Sequence, residues 1–205
     1  LGLFLSMDTF DPDYQNQNIE GKIVVALERI SEAFKVLLWQ KGKENGLTPL
    51  QLQVLLFINF HAPRQCKANY LAKEFNVTKA TISESIRLLL KKDLILKQVD
   101  PADTRSSFIY LTEKGKAMVQ GTGGFAQAIE RPIHSFSEAQ KKMLFQNLLD
   151  LIEKLNRAHI VNVQRMCTSC RFYERGSEGD FCRLLEKRLY AQDLRIDCPE
   201  HQPVT

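Results

Sequence analysis

The sequence has no run of apolar residues approaching the roughly 20 that a membrane-spanning helix needs, so no membrane partner is expected and a cytoplasmic location is the default. It lacks a glycine-rich phosphate loop, a nucleophile elbow and paired catalytic carboxylates, the spacings by which common enzyme classes announce themselves. His61, His134 and His159 are scattered and read as structural or exposed groups, so the chain is read as a non-enzyme. There is no internal repeat and no low-complexity tract. Cysteine is scarce until the C-terminus: only Cys66 precedes residue 167, and it reads as a small buried hydrophobe. Residues 1–7 are apolar but few and have no basic leader; they read as an upstream tail, with Met7 a candidate start, rather than a secretion signal.

What is present is an ordinary globular composition, 44% hydrophobic and 25% charged over 205 residues, enough for one buried core and an appendage. The net charge of +4 is unevenly placed. Residues 67–116 hold ten Lys and Arg against six acids, the whole excess of the chain. A solvated charged face is the plain interpretation of such a cluster; its coincidence with the pattern described next favours a polyanionic partner.

Ile19, Ile23, Leu27, Ile30, Phe34, Leu37 and Leu38 recur at helical spacing and predict a long amphipathic helix ending near Gly42–Gly46. Val24, Val25 and Val36 widen its apolar face, as a helix covered by a second subunit requires. Thr48-Pro49-Leu50-Gln51 is a capping box with proline at the first helical position; Leu52, Leu55, Leu56 and Phe60 are its expected core face. Asn69 is the expected cap of a short helix with Leu71, Ala72 and Phe75 inward, and Asn76-Val77 turns into a second helix capped by Thr78. That helix turns Ile82, Ile86, Leu89 and Leu90 inward and Lys79, Thr81, Ser83, Glu84 and Arg87 outward. Residues 94–99 and 107–111 predict strands, with 100–105 as the turn between them. A helix opened by Thr112–Gly115 should break near Gly121, Gly123 and Gly124, and Pro132 marks a further interruption. A second capping box, Ser137-Glu138-Ala139-Gln140, opens a long helix with Leu144, Leu148, Leu151, Ile152 and Leu155 on one side.

A helix offered to the major groove needs short polar or basic side chains near its N-terminus. Lys79, Thr81, Ser83 and Arg87 meet that need, and Thr78 is either a cap alone or also a neighbour of a phosphate. Glu84 either accepts from a cytosine or, more simply, pairs with Arg87. Alone, such a helix is scaffold more often than DNA reader; the hairpin with Arg105 at its tip, oriented by Asp103, reverses that preference, although an exposed Asp103–Arg105 pair by itself would be worth little.

Residues 48–115 resemble the MarR family of winged-helix transcription regulators. The matching pieces are Val77-Thr78-Lys79-Ala80-Thr81-Ile82, then residues 89–95, then Asp100-Pro101-Ala102-Asp103-Thr104-Arg105, and Leu111-Thr112-Glu113-Lys114-Gly115. The resemblance implies a mainly α (α+β) fold: a winged helix-turn-helix core with long N- and C-terminal dimerisation helices. It implies a homodimeric, sequence-specific binder of double-stranded DNA, expected to act as a repressor. Recognition helices would enter successive major grooves, with Thr78, Lys79, Thr81, Ser83, Arg87, Asp103 and Arg105 as the DNA-facing set. A small-molecule effector between the dimer helices and the DNA-binding lobes would act by changing the spacing of those helices. Asp93 stands where the family usually has glycine, Ala102 where it often has a basic residue, and the glycines from Gly121 are unusual.

The domain plan is therefore a tail over 1–18, a dimerisation helix over 19–47, the DNA-binding unit over 48–116, dimerisation helices over 117–165, and a segment over 166–205 that the resemblance does not cover. This last segment holds Cys167, Cys170, Cys182 and Cys198, a C-x2-C-x11-C-x15-C pattern. Four thiolates close a tetrahedron around a structural Zn2+, and metal binding can fold a segment with little core of its own. Phe172, Tyr173, Phe181, Leu184, Leu185 and Leu189 would pack around it. An iron–sulfur cluster, which would make the segment a redox or metal sensor, suits the same ligands and Pro199; disulfides and unligated thiols are the remaining alternatives. His201 is a possible substitute ligand. The segment balances seven basic against seven acidic residues from 165 onward, which leaves a protein-interaction role open and gives no electrostatic hint of a second DNA site.

Overall fold

The computed structural model describes residues 9–122, 124–162, 165–176 and 179–204; the proposed tail residues 1–7 and Gly123 lie outside that set. The tail assigned to residues 1–18 contains a helix, α1 (Pro12–Gln17), capped by the Asp11 carboxylate on the Asp13 N–H with proline at its first position. Six residues are too few to produce a hydrophobic period, so only the cap could have revealed it. Asn18 then accepts from the Glu20 N–H at 3.0 Å and opens α2 (Ile19–Glu44). Ile19, Ile23, Val24, Ile30, Phe34 and Trp39 are exposed along α2 in the single chain.

The Thr48–Gln51 capping box forms as read and starts α3 (Pro49–Phe60). Its inner face is Leu52, Val54, Leu55, Phe57 and Ile58, whereas Phe60, expected inside, is 73% exposed. The helix stops at Phe60, so that side chain leaves the packed layer and Phe57 fills it. A 3₁₀ turn at Pro63–Gln65 leads to α4 (Ala68–Glu74). Asn69 is not its cap: the helix begins at Ala68, two residues earlier, behind Lys67, with no side-chain cap. Asn76, at φ 51°, makes the left-handed turn into α5 (Lys79–Lys91). Asp93 also lies in the left-handed region, at φ 57°; aspartate tolerates it better than most residues, which is how the chain manages without glycine there.

The wing pairs β1 (Ile95–Asp100) antiparallel with β2 (Asp103–Leu111). The second strand begins four residues before the expected Ser107, because Asp100 pairs directly with Asp103 and confines the turn to Pro101 and Ala102. Leu55, Leu71, Ile82, Ile86, Leu89, Leu94 and Ile109 form the centre of one core that joins α3, α4, α5 and the wing. Each such side chain contributes about 1.5–3 kcal/mol by leaving water. The chain then forms α6 (Glu113–Thr122), which ends at the expected glycine-rich stretch, and α7 (Gln127–Ile133), which carries Pro132 within its last turn rather than being broken before it. The Ser137–Gln140 box starts α8 (Glu138–Arg157). Only Leu149 of α8 is buried, and Met143 and Leu144 are exposed.

Beyond α8 a small lobe begins with a 3₁₀ turn at Cys167–Ser169 and continues as a meander of β3 (Tyr173–Glu174), β4 (Asp180–Cys182) and β5 (Lys187–Leu189). Met166, Cys170 and Leu189 are buried there. Leu184 and Leu185, expected in its core, are each 45% exposed in the β4–β5 connection.

Candidate nucleic-acid interface and cysteine lobe

Thr78 holds the N-terminus of α5. Its hydroxyl accepts from the Thr81 N–H at 3.1 Å and lies 2.8 Å from the Thr81 hydroxyl. With Ile82, Ile86 and Leu89 in the core, the opposite face presents Thr78, Lys79, Thr81, Ser83 and Arg87, all exposed. Arg87 is held by Glu84 through two bonds of 2.7 and 2.6 Å. That hydrogen-bonded guanidinium holds the Glu84 carboxyl below its usual range.

At the wing, the Arg105 side chain is 94% exposed. Its backbone N–H donates to the Asp103 carboxylate at 3.2 Å, but its guanidinium approaches the same oxygen only to 3.5 Å, so Asp103 shapes the backbone more than it restrains the charge. Behind the tip, Asp100 is buried and receives the Lys67 ammonium and the Ala102 N–H at 2.9 Å. The Lys67 bond first, and the Ala102 bond next, hold Asp100 below the usual carboxylate range. Lys67 also lies over the Phe108 ring, 4.6 Å from its centre. A groove of about 350 Å³ between α4 and the wing brings Lys67, Asn69 and Lys97 to Arg105. Sequence reasoning did not place these three at the site. Only the return of the hairpin joins them, and the earlier trace of Lys67 and Lys97 is the local charge excess.

Between α2 and the start of α3, a cleft of about 420 Å³ is lined by Val36, Trp39 and Pro49 with Glu32, Lys35 and Gln40. That volume lies within the range of small-molecule sites.

In the lobe, Cys167 and Cys170 form a tight knuckle closed by the Cys170 N–H on the Cys167 carbonyl at 2.9 Å. The Arg195 N–H donates to the Cys167 sulfur at 3.2 Å. Cys182 pairs with Tyr173 across β3 and β4, and the Cys198 N–H bonds the Arg165 carbonyl at 3.0 Å. All four thiols are free. Burial chiefly, and then the neighbouring Cys182 and Cys170, push the Cys167 thiol up. The Cys198 sulfur is instead turned to the Glu200 carboxylate at 3.3 Å. Among the described residues no three Cys, His, Asp or Glu side chains stand as an assembled ion-holding group. The fold brings Cys170 and Cys182 near Cys167, and the Cys198 main chain bonds Arg165, two residues before the knuckle. His201 is directed to Ser169, with Nε2 3.0 Å from its hydroxyl, rather than to the sulfurs.

Arg165 joins this lobe to the helix-turn-helix. It is buried, donates to Glu74 at 2.6 and 3.0 Å and to the Tyr70 hydroxyl at 3.0 Å, and also pairs with Asp197. Burial opposes its charge, but Glu74, Asp197 and Tyr70 outweigh it and hold the guanidinium firmly ionised. Asp197 also meets His61 at 2.7 Å, and the His61 ring stacks on Phe57.

A sequence profile of the MarR family matches residues 45–106. The HTH-type transcriptional repressor YetL of Bacillus subtilis (strain 168) is 30% identical over 112 residues, which are 54% of this chain and 67% of that protein. The crystal structure of an S. aureus MepR–DNA complex superposes with a TM-score of 0.56 at 28% identity, covering 64% of this chain and 96% of MepR. A MarR transcriptional regulator from Methanosarcina mazei Go1 has the same fold, with a TM-score of 0.56 at 22% identity over 68% of this chain and 98% of its own.

Proposed function

The chain belongs to the MarR family of winged helix-turn-helix transcription regulators, and on that premise we propose that it is a homodimeric repressor reading double-stranded DNA in a sequence-specific way. The observation that carries this reading is the exposed polar face of α5, from Thr78 to Arg87, set beside a wing whose tip arginine stands in solvent. Lys79, Thr81 and Ser83 would meet base edges, Thr78 and Arg87 phosphates, and Arg105, positioned by Asp103, the minor groove or its backbone. The uncovered apolar faces of α2 and α8 support a second copy as their cover, since a single chain rarely leaves such surface to water. Two copies place two recognition helices about one DNA turn apart, roughly 34–36 Å. An effector in the α2–α3 cleft beside Trp39 would act on that spacing. Binding of the purified protein to a promoter-length duplex under heparin challenge, with its mass in solution, tests the reading; a monomer, or binding no better than background at low salt, would overturn it.

For the lobe, the reading is a structural Zn2+ held by Cys167, Cys170, Cys182 and Cys198. The knuckle and the N–H bond to the Cys167 sulfur support it, because a thiolate ligand takes such bonds readily. Loading would require the raised thiols to lose their protons and Cys198 to turn from Glu200. A site closed by four thiolates has no position for a hydrolytic water. Elemental analysis of anaerobically purified protein should find one zinc per chain, lost in Cys170→Ser while the winged helix stays folded. Brown protein absorbing in the visible would replace zinc with an iron–sulfur cluster and make the lobe a redox sensor.

A further inference from the structure

Two of the residues that fasten the lobe to the DNA-binding unit are also its links to the cysteines. Arg165 lies two residues before Cys167, and Asp197 immediately precedes Cys198. Their main chains form a parallel bridge, closed by the Cys198 N–H on the Arg165 carbonyl, and the Cys167 N–H bonds the Arg195 carbonyl at 3.1 Å. Their side chains point the other way. Arg165 grips Glu74 and Tyr70 of α4, and Asp197 holds His61 just after α3. A further bond, from the Asn162 amide to the Asn76 amide oxygen at 2.6 Å, reaches the turn that enters α5.

From this juxtaposition we propose that metal binding by the cysteine lobe is coupled to DNA binding through the Arg165–Glu74 ion pair, with the loaded lobe holding α4 and its turn in the DNA-reading arrangement. The proposal rests on the zinc site argued above. Few residues of the lobe are buried, so its docking face depends on whatever binds its sulfurs. Loss of the metal would let Arg165 withdraw. Glu74 would then lose its only buried cationic partner among the described residues, leaving an uncompensated carboxylate at the end of α4, just ahead of α5. Coupling is reciprocal: DNA must raise the zinc affinity by the factor by which zinc raises the DNA affinity.

The experiment uses the full chain and a duplex recovered from a random pool with zinc-loaded protein. Zinc content is measured first; then DNA affinity is compared before and after chelation under reducing conditions, in the parent, in Glu74→Ala and in Arg165→Met. Stripping should weaken the parent by roughly 5- to 150-fold, the usual range of coupling between sites. Glu74→Ala, with its one zinc retained and its helical signal intact, should bind the duplex equally well with and without metal. Arg165→Met should do the same if it folds; Glu74→Ala decides the matter if it does not. An equal loss on stripping in parent and Glu74→Ala, or one zinc per chain with no effect on DNA affinity in the parent, overturns the coupling alone. A lobe that holds no metal overturns the site and the coupling together.

Discussion

Arg87 and Glu84 are joined face to face on the exposed side of α5, Nε to Oε2 at 2.7 Å and Nη2 to Oε1 at 2.6 Å. The arginine of α5 is thus held by a carboxylate three residues earlier. Such a pair on an exposed helix face is weak in water, so a phosphate can displace Glu84 at small cost. Glu84→Ala should therefore raise affinity for random and selected duplexes alike and steepen the dependence of log K on log salt by about one unit per subunit. A salt titration by fluorescence anisotropy reads this directly. If the slope stays where it was, Arg87 does not reach the backbone.

Arg105 and Ser83 should separate by the kind of contact they make. Arg105 stands in solvent with no strong hold on its guanidinium, so Arg105→Ala should weaken all duplexes evenly and lower the salt slope by about one unit per subunit. Ser83 lies on the exposed side of α5, and if it reads a base Ser83→Ala should cost on the order of 1–3 kcal/mol on the selected site alone. Equal losses on random DNA would move Ser83 from the bases to the backbone.

The wing carries its own acid sensitivity. Asp100 is held below the usual carboxylate range chiefly by Lys67 and then by the Ala102 N–H, with Ser106 adding to both. In the unfolded chain it should titrate near about 3.9. Its contribution is therefore fully present above that value and is lost as pH falls through the lower folded value. Amide signals of residues 98–106 should remain native down to about pH 4 and disperse below it. In Lys67→Met the buried carboxylate loses its cation, so the same loss should begin at higher pH. An acid limb that does not move would show that Lys67 does not hold the wing.

The parts that could be read in advance were those governed by local chemistry. The capping boxes at Thr48 and Ser137 form as written, because their partners are three residues apart. The period of Ile82, Ile86 and Leu89 gives α5 one inner and one outer face, and Lys79, Thr81, Ser83 and Arg87 lie on the outer one. The misses have physical causes. Helix α1 is too short for a period. The difference between Phe57 and Phe60 depends on where α3 stops. The groove of Lys67, Asn69 and Lys97 exists only once the hairpin has folded back. Arg165 was invisible as a docking residue because Glu74 lies 91 positions away and Asp197 32 positions away, and no spacing rule links such distances.

Two glycines of α6 should respond to alanine with opposite signs. Gly115 packs against the start of the wing so closely that a Cβ there would stand 2.0 Å from the Leu94 carbonyl oxygen and 3.0 Å from its carbon. These are backbone atoms, so α6 and β1 would have to separate, and Leu94 with Ile95 would leave the core they now close. Overpacking of this kind costs typically 1–3 kcal/mol, occasionally more, and here it also tilts the wing that carries Arg105. Gly121 meets nothing within 4 Å, and glycine inside a helix costs roughly 0.5–1 kcal/mol relative to alanine. Thermal unfolding should thus show Gly115→Ala melting lower and binding DNA more weakly, and Gly121→Ala melting at or above the parent with DNA binding unchanged. If Gly115→Ala matched the parent in both respects, α6 would not be the strut that fixes the wing against the recognition helix.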